Sequence, residues 1–274
     1  MSFYFGQNGT LRLAEFEQWP WLVYGFSTRP DGDLAREDER HRFLESLGAG
    51  DLDLVTLRQI HSAIVRVADG RSLQPPGDGA RPPGDSLIAV EPGVLVGVKT
   101  ADCLPVLLVD PERRAVAAVH AGWRGVVKRV VEKTAGEMRR RLGCAPSRMH
   151  AAIGPGIQAC CFEVGPEVLQ EFASQFADAA EFCRPEEPNP ALTMIPKQVM
   201  TGNHALMRRL DSDRGHIDLA HAIRRQLLTA GLEPQHIYNS GLCTACDLKR
   251  FYSYRREREA AGRMLAVIGV RPAP

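Results

Sequence analysis

Residues 94–142 read VLVGVKTADCLPVLLVDPERRAVAAVHAGWRGVVKRVVEKTAGEMRRRL. Three apolar runs separated by short polar breaks predict three buried strands, at Val94–Thr100, Leu104–Val109 and Ala115–His120. After them, apolar residues recur at helical spacing from Val126 to Leu142, which predicts one helix that ends at a glycine. The polar breaks carry reactive side chains at strand ends, where α/β enzymes place many functional groups.

The same alternation of strands and helices continues on both sides of this stretch. One or two strands are predicted within Leu54–Val67, and further strands at Met149–Ile153, His236–Asn239 and Met264–Val270. Helices are predicted over Leu34–Leu47, Gly165–Phe176 and Leu219–Ala230, the last with Asp218 as N-cap and Gly231 as stop. This mixture predicts α/β or α+β layers. A stretch rich in Pro and Gly, residues 70–84, is interpreted as a surface loop, so we predict a single domain.

Composition and charge exclude several classes of partner. The 274 residues carry 34 Lys or Arg and 33 Asp or Glu, a net charge of +1, so we expect no nucleic-acid or anionic-membrane partner. The first residues lack the regions of a secretory signal, and no apolar run approaches the ~20 residues of a membrane helix. Seven cysteines fit free thiols in a reducing compartment. We expect a cytoplasmic globular protein, and the sequence leaves its oligomeric state open.

Three residues of this chain are candidate metal ligands. His61 lies in Gln-Ile-His-Ser, Cys103 lies in Thr-Ala-Asp-Cys, and His120 ends a predicted strand. Two imidazoles and a thiolate are a common zinc set, which leaves a fourth position for water or substrate. Their spacings match no zinc finger or ribbon, so two core histidines and a buried thiol are the simpler interpretation of these residues alone.

Two other segments could bind an anion or a base. In HAGWRG, Gly122 and Gly125 permit a tight turn at a helix start, and Arg124 could hold a phosphate or carboxylate; a solvated Arg124 beside a buried Trp123 explains the turn equally well. In YSYRRER, which contains Arg255, aromatic and Arg side chains could stack on a base or bind phosphate, or simply form a charged face.

The remaining cysteine pattern gives no metal site by itself. Cys243 and Cys246 form a CxxC, but the chain contains no second CxxC to complete a four-thiolate zinc site. Cys160 and Cys161 are adjacent, which disfavours a disulfide between them.

Together these segments resemble the laccase-domain family, also called the polyphenol-oxidase or YfiH-like family. The resemblance covers residues 24–269 and rests on QIHSAIV, TADCLPVLLVD, AVAAVHAGWRG, IGPGIQACCFEVG, HIDLAHAIRRQLLTAGL, GLCT and FYSYRRE followed by Gly-Arg. It implies a layered sandwich of mixed β-sheets with helices outside, its core spanning about residues 24–270. It also implies a metal site at His61, Cys103 and His120, with zinc as the usual metal and copper as the alternative. The segment after GFSTR is shorter here than in relatives, although Arg29 still matches.

Several reactions fit this resemblance. Similar proteins are assigned phosphorolysis of adenosine, inosine and methylthioadenosine, and deamination of adenosine. Bacterial relatives are linked to a peptidoglycan editing hydrolase that removes serine from a nucleotide-linked muramic acid precursor. The family name suggests a copper-dependent polyphenol oxidase, but the eight histidines include no His-x-His pair for a trinuclear site. A metal-free cysteine hydrolase with Cys103 as nucleophile also fits these residues, as does a non-enzymatic module stabilised by a metal.

We predict a zinc-dependent purine-nucleoside enzyme. Asp102 and Arg124 are the predicted catalytic residues, and Arg29, Arg124 and Arg255 are predicted to bind substrate. The expected partners are a small-molecule nucleoside and phosphate.

Overall fold

A computed structural model describes residues 2–68, 81–185 and 214–272. Within them the strands are β1 (Phe3–Phe5), β2 (Leu11–Leu13), β3 (Leu22–Phe26), β4 (Asp53–Thr56), β5 (Val65–Ala68), β6 (Ser86–Ala89), β7 (Val94–Thr100), β8 (Leu104–Asp110), β9 (Ala115–Ala121), β10 (His150–Ile153), β11 (Glu163–Val164), β12 (Cys183–Pro185), β13 (Gly215–Ile217), β14 (Ile237–Asn239) and β15 (Met264–Val270). The α-helices are α1 (Glu37–Ser46), α2 (Trp123–Val127), α3 (Val130–Leu142), α4 (Pro166–Gln175), α5 (Leu219–Thr229) and α6 (Tyr254–Glu257). Single 3-10 turns lie at Ala14–Phe16, Arg29–Asp31, Pro146–Arg148, Ala179–Glu181, Pro234–His236 and Arg258–Ala260.

These strands form two large mixed sheets and one small sheet. The first sheet has the order β1-β2-β3-β15-β7-β4, and the second has the order β14-β10-β8-β9-β6-β5. The small sheet is β11-β13-β12. Both large sheets contain parallel and antiparallel neighbours, since β4 runs parallel to β7 and β10 runs parallel to β14.

The two large sheets pack face to face with helices outside them. In β8, Leu107 and Val109 point to the core between the sheets, whereas Leu104, Val106 and Leu108 belong to the core beneath α3 and α5. This alternation is the period-two pattern of a strand buried on both faces. A third core lies between the first sheet and α1. The predicted layered α/β fold with mixed sheets and outer helices is thereby confirmed.

The predicted strands at β7, β8 and β9 are confirmed. Leu54–Val67 forms two strands, but β4 and β5 belong to different sheets, and the chain between them crosses from one layer to the other. Asp218 accepts a hydrogen bond from the His221 N–H as the predicted N-cap of α5.

The helix predicted from Val126 to Leu142 is confirmed over Val130–Leu142 with Gly143 as its stop, but it does not run unbroken from Val126. The helix is broken into α2 and α3 at Arg129, whose φ of 61° is left-handed. No Gly or Pro marks the break. Tertiary contacts hold it, because the Arg129 guanidinium donates to Glu132 and to the Gln175 carbonyl and lies over the Phe176 ring.

The surface loop predicted at residues 70–84 lies mostly outside the described residues, which leave out 70–80. In the part of the chain that the structure describes, no helix has the length and apolar character needed to span a bilayer.

Candidate metal centre and active site

The structure brings His61, Cys103 and His120 together at one end of the central strands of the second sheet. Cys103 directly precedes β8, His120 lies on the neighbouring strand β9, and His61 lies in the crossover between β4 and β5. One ligand atom from each residue lies within 4.8 Å of the others. The Cys103 Sγ is 3.9 Å from the His61 Nε2. The three residues therefore form a group that could hold a metal ion.

A fully buried carboxylate, Asp85, organises both histidines. Its Oδ1 atom accepts from the His120 Nδ1 at 2.8 Å and from the His61 N–H at 3.0 Å. Its Oδ2 atom accepts from the Ser62 N–H and hydroxyl, each at 2.6 Å. Because an ionised carboxylate can only accept, Nδ1 of His120 carries the proton and Nε2 is left for a metal.

The hydrogen bonds to Asp85 also explain the backbone around His61. His61 has a φ of 57°, in the left-handed region that a histidine adopts at a cost. This conformation turns the amides of Ile60, His61 and Ser62 toward the Asp85 carboxylate. Sequence reasoning missed Asp85; its only signal is a carboxylate directly before the apolar strand β6.

The charges in this cluster stabilise one another. Burial would raise the pKa of Cys103, but the neighbouring His120 and His61 outweigh burial and lower it. Burial would lower the pKa of His120, but the Cys103 thiolate and Asp85 raise it. Burial likewise opposes ionisation of Asp85, and hydrogen bonds from His120 and Ser62 hold its pKa well below the usual range. Cys103 is therefore poised as a thiolate, the form that binds a metal or attacks a substrate.

Gly122 permits the close approach of the turn after β9 to this cluster. A Cβ atom at Gly122 would lie 2.8 Å from the Cys103 Sγ and 2.9 Å from the His61 Cδ2. Such distances exclude a side chain without displacement of the ligands. Gly122, the first glycine of HAGWRG, is thus required by the packing of the site.

The donor set fits a zinc ion. It offers two imidazoles, one of them oriented by a carboxylate, and one thiolate, which is a catalytic type of zinc set. In residues 2–68, 81–185 and 214–272, the group contains three ligands, and Cys243 lies in a different cluster. The arrangement therefore leaves a position toward the cavity.

The cluster opens into a cavity of about 1100 Å³. Six cationic side chains line it: Arg58, Arg81, Lys99, Arg124, Arg255 and Arg263. Among the described residues that line it, Asp102 is the only acidic one. Burial and the neighbouring Arg81 lower the pKa of Lys99, as expected for cations that crowd one space. The cavity is suited to an anion.

Asp102 and Arg255 lie together at one side of this cavity. The Asp102 carboxylate accepts from the Thr244 hydroxyl at 2.7 Å and from the Arg255 N–H at 2.6 Å. The Arg255 guanidinium donates to the Glu163 carbonyl at 2.9 Å. Their predicted roles in catalysis and substrate binding stay predictions.

The other two predicted arginines differ in their surroundings. Arg124 lines the cavity, and its guanidinium lies 4.3 Å from the centroid of the Trp123 ring. Arg29 donates to the Phe251 carbonyl and to Glu257 and lies over the Tyr252 ring. Arg29 thus supports the segment before α6, and its substrate-binding role stays a prediction.

A second cluster joins cysteines that the sequence did not connect. The sulfur atoms of Cys160, Cys161, Cys243 and Cys246 all lie within 4.8 Å of one another. The chain has no second CxxC, as the sequence indicates, but the adjacent cysteines of another loop supply two further thiols beside the CxxC.

A family model described as multi-copper polyphenol oxidoreductase laccase matches residues 24–271. The chain is 36% identical to the purine nucleoside phosphorylase of Deinococcus radiodurans over 262 residues, which cover 95% of this chain and 87% of that protein. It is 35% identical to adenosine deaminase RL5 from an unknown prokaryotic organism, over 85% of this chain and 81% of that protein. The crystal structure of YlmD from Geobacillus stearothermophilus superposes with a TM-score of 0.78 and 28% identity, over 99% of each chain.

Proposed function

The chain belongs to the multi-copper polyphenol oxidoreductase laccase family, and from that premise we propose that it is a zinc-dependent purine-nucleoside enzyme. The proposed reactions are phosphorolysis of adenosine, inosine and methylthioadenosine, and deamination of adenosine. Relatives named purine nucleoside phosphorylase and adenosine deaminase support this class of reaction.

One observation carries the proposal: the His61–Cys103–His120 group opens into a cavity rich in cationic side chains. Phosphorolysis needs a bound phosphate beside the nucleoside, and six cations opposed by one carboxylate supply a site for an anion. Deamination of adenosine combines a neutral nucleoside with water and needs no such surplus of positive charge. The cavity therefore favours phosphorolysis over deamination, although the phosphates of a nucleotide-linked precursor would also suit it.

The same cavity offers aromatic surfaces for the purine. Trp123, Phe162 and Tyr254 line it together with the arginines. Base–aromatic stacking contributes about 1–3 kcal/mol for each base. We propose that the base lies among these rings and that phosphate lies nearer Arg124 and Arg255.

The residues then take distinct roles. A zinc ion held by His61, Cys103 and His120 would supply Lewis-acid chemistry toward phosphate or water. In phosphorolysis, a phosphate oxygen replaces the purine nitrogen at ribose C1′, and the departing base must gain a proton. Asp102 is the proposed proton carrier, oriented by Thr244 and the Arg255 N–H.

The test is a nucleoside panel incubated with zinc-replete protein, with and without phosphate. We expect inosine to yield hypoxanthine and ribose 1-phosphate only when phosphate is present, and adenosine to yield adenine under the same condition. Phosphate-independent conversion of adenosine to inosine would report the deaminase activity. Release of serine from the muramic acid precursor, with no reaction on any nucleoside, would refute the proposal.

Copper oxidase chemistry finds less support. Within the described residues, two groups of side chains could hold a metal ion: one of two histidines and a cysteine, and one of four cysteines. Neither is the histidine-rich arrangement of a trinuclear copper site. A single copper ion in the first group remains compatible with its ligand type.

A metal-free cysteine hydrolase is the second candidate, and a specific observation favours it. Cys103 lies near His120, and Asp85 holds the other side of the His120 ring, so the three residues present a thiolate, an imidazolium and an orienting carboxylate. Enzymes with a cysteine nucleophile use the same arrangement of nucleophile, base and orienting group. The two candidates differ in the reactivity of Cys103 in active protein, which an alkylation experiment measures.

A further inference from the structure

The four-cysteine cluster joins two loops that leave the second sheet at the same edge. Strands β10 and β14 are parallel neighbours, so the segments after Ile153 and Asn239 emerge side by side. A bridge between Gly156 and Cys243 pairs them, with hydrogen bonds from the Gly156 N–H to the Leu242 carbonyl and from the Thr244 N–H to the Gly156 carbonyl. This topology brings together thiols that lie more than 80 residues apart in sequence.

Three of the distances between the sulfur atoms are close to those of a tetrahedral metal site. The Cys246 Sγ lies 3.4 Å from that of Cys161 and 3.6 Å from that of Cys160, and the two adjacent sulfurs lie 3.7 Å apart. Four sulfurs at ~2.3 Å from a zinc ion would be about 3.8 Å apart along each tetrahedral edge. These three distances are therefore close to a tetrahedral edge, and the Cys243 Sγ lies within 4.8 Å of the other three sulfur atoms.

The surroundings of the cluster suit thiolates that share a cation. The Gln158 N–H approaches the Cys243 Sγ at 3.5 Å, an orientation that favours sulfur as acceptor. Four thiolates and Zn²⁺ carry a net charge of −2. Arg256 lies beside the CxxC turn, where it donates to the Thr244 and Ala245 carbonyls at 2.9 Å each, and its guanidinium also pairs with the Glu257 carboxylate.

We propose that Cys160, Cys161, Cys243 and Cys246 bind one zinc ion in a structural four-thiolate site, separate from the His61–Cys103–His120 group. A closed set of four thiolates leaves no position for substrate, which is the property of structural zinc sites. The proposal does not depend on the reaction that the enzyme catalyses.

This second site supports the first through Asp102. Thr244 lies inside the CxxC and donates to the Asp102 carboxylate, and the Ile157 N–H donates to the Asp102 carbonyl at 2.7 Å. Asp102 directly precedes Cys103 and has a φ of 89°. The zinc ion would hold together the two loops that fix this residue.

The experiment isolates the proposed site by removing the first one. The His61→Ala/Cys103→Ala double variant of the full chain should retain one zinc per chain when purified under reducing conditions and dialysed against a weak chelator. X-ray absorption of this zinc should show four sulfur neighbours at ~2.3 Å. Its cobalt-substituted form should show intense thiolate-to-cobalt charge-transfer absorption in the near ultraviolet.

The reciprocal variant tests the assignment of ligands. Cys243→Ser/Cys246→Ser in the otherwise native chain should lose one equivalent of zinc and retain the equivalent held by the first site. Cys183→Ala is the matched control, because Cys183 belongs to neither cluster; its zinc content should equal that of the native chain. If the serine variant fails to fold, zinc release from the His61→Ala/Cys103→Ala chain during titration with a mercurial reagent counts the zinc of the four-cysteine site alone, because that chain lacks the first site.

Two results would overturn the proposal. One is a His61→Ala/Cys103→Ala chain without zinc whose four thiols all alkylate at the rate of free cysteine. The other is a disulfide among the four cysteines, detected by intact mass in protein freshly purified under reducing conditions.

Discussion

The two clusters of this chain that contain cysteine sulfur differ in the partners of that sulfur: two histidines in the first, three other cysteines in the second. Cys103 lies at the start of a central strand with two histidines beside it, and a buried carboxylate holds one of them while the group opens into a cavity. The cysteines of the second cluster, Cys160, Cys161, Cys243 and Cys246, lie on two loops with their sulfur atoms within 4.8 Å of one another, and Cys160 and Cys246 are exposed. In the proposed sites, three ligands of the first cluster would leave a position for substrate, whereas four thiolates of the second would fill every position of a tetrahedral ion. The difference shows that a cysteine's role depends on its partners.

A substitution at Asp85 should have the largest effect on the difference between the two clusters, because only the first cluster contains a buried carboxylate. Asp85→Asn removes the charge that pairs with His120 and holds the amides near His61. Breaking a buried charge pair costs about 3–5 kcal/mol, so we expect that loss of unfolding free energy. The zinc of the first site should also be lost, while that of the second site is retained. Chemical denaturation and metal analysis measure the two effects.

Glu137→Gln provides the control for that variant. Glu137 accepts from Arg140 and Arg141 on the surface of α3, and those guanidinium groups lower its pKa to about 2. An exposed pair of this kind contributes about 0–1 kcal/mol. Equal stability losses for the two variants would contradict the role assigned to Asp85.

The next prediction concerns the contact between Gly122 and the ligands. Gly122→Ala should displace Cys103 or His61, since the new methyl group would lie within 3 Å of both side chains. We expect loss of activity by roughly 100-fold or more and a stability cost of about 1–3 kcal/mol from overpacking. Gly136→Ala is the matched control: a Cβ there has no heavy atom within 4 Å, and Ala favours the helix by about 1 kcal/mol. Full activity in Gly122→Ala would place the metal elsewhere.

The sequence predicted the parts of this fold that depend on local periodicity. Strands β7, β8 and β9 are confirmed because buried strands show continuous apolar runs. The break at Arg129 was missed because contacts with α4, distant in sequence, hold it. The convergence of His61, Cys103 and His120 followed from family motifs, since their spacing alone left the simpler interpretation favoured.

Asp85 and the Cys160–Cys161 pair could not be identified from sequence for the same physical reason. Asp85 reaches His120 because β6 pairs with β9, and the cysteines meet because β10 pairs with β14. Both are consequences of strand order within a sheet. A local pattern records which residues form a strand but not which strand lies beside it.

Thiol reactivity distinguishes the metal enzyme from the cysteine hydrolase. As a zinc ligand, Cys103 should alkylate slowly in zinc-loaded active protein and quickly after chelation, because the cation neutralises its thiolate. Peptide mapping after iodoacetamide treatment measures this, with the buried Cys144 as an unreactive internal control, whose pKa burial raises. Rapid labelling of Cys103 in the zinc-loaded active enzyme, together with activity that survives chelation, would establish the cysteine nucleophile instead.

The smallest effect is expected for a substitution of Arg124, which lines the cavity into which the first cluster opens. Arg124→Lys keeps the positive charge but loses the planar fork that can hold two oxygens of one phosphate. We expect the KM for phosphate to rise about tenfold, equivalent to about 1.4 kcal/mol, with little change in kcat. Arg141→Lys on α3 is the control, since Arg141 pairs with Glu137 and lies outside the residues that line the cavity. Zinc content should be the same in both variants, because neither residue is a ligand of either cluster. An unchanged phosphate dependence in Arg124→Lys would assign phosphate binding to the other cations of the cavity. In that case, Arg124 would serve only to pack over Trp123.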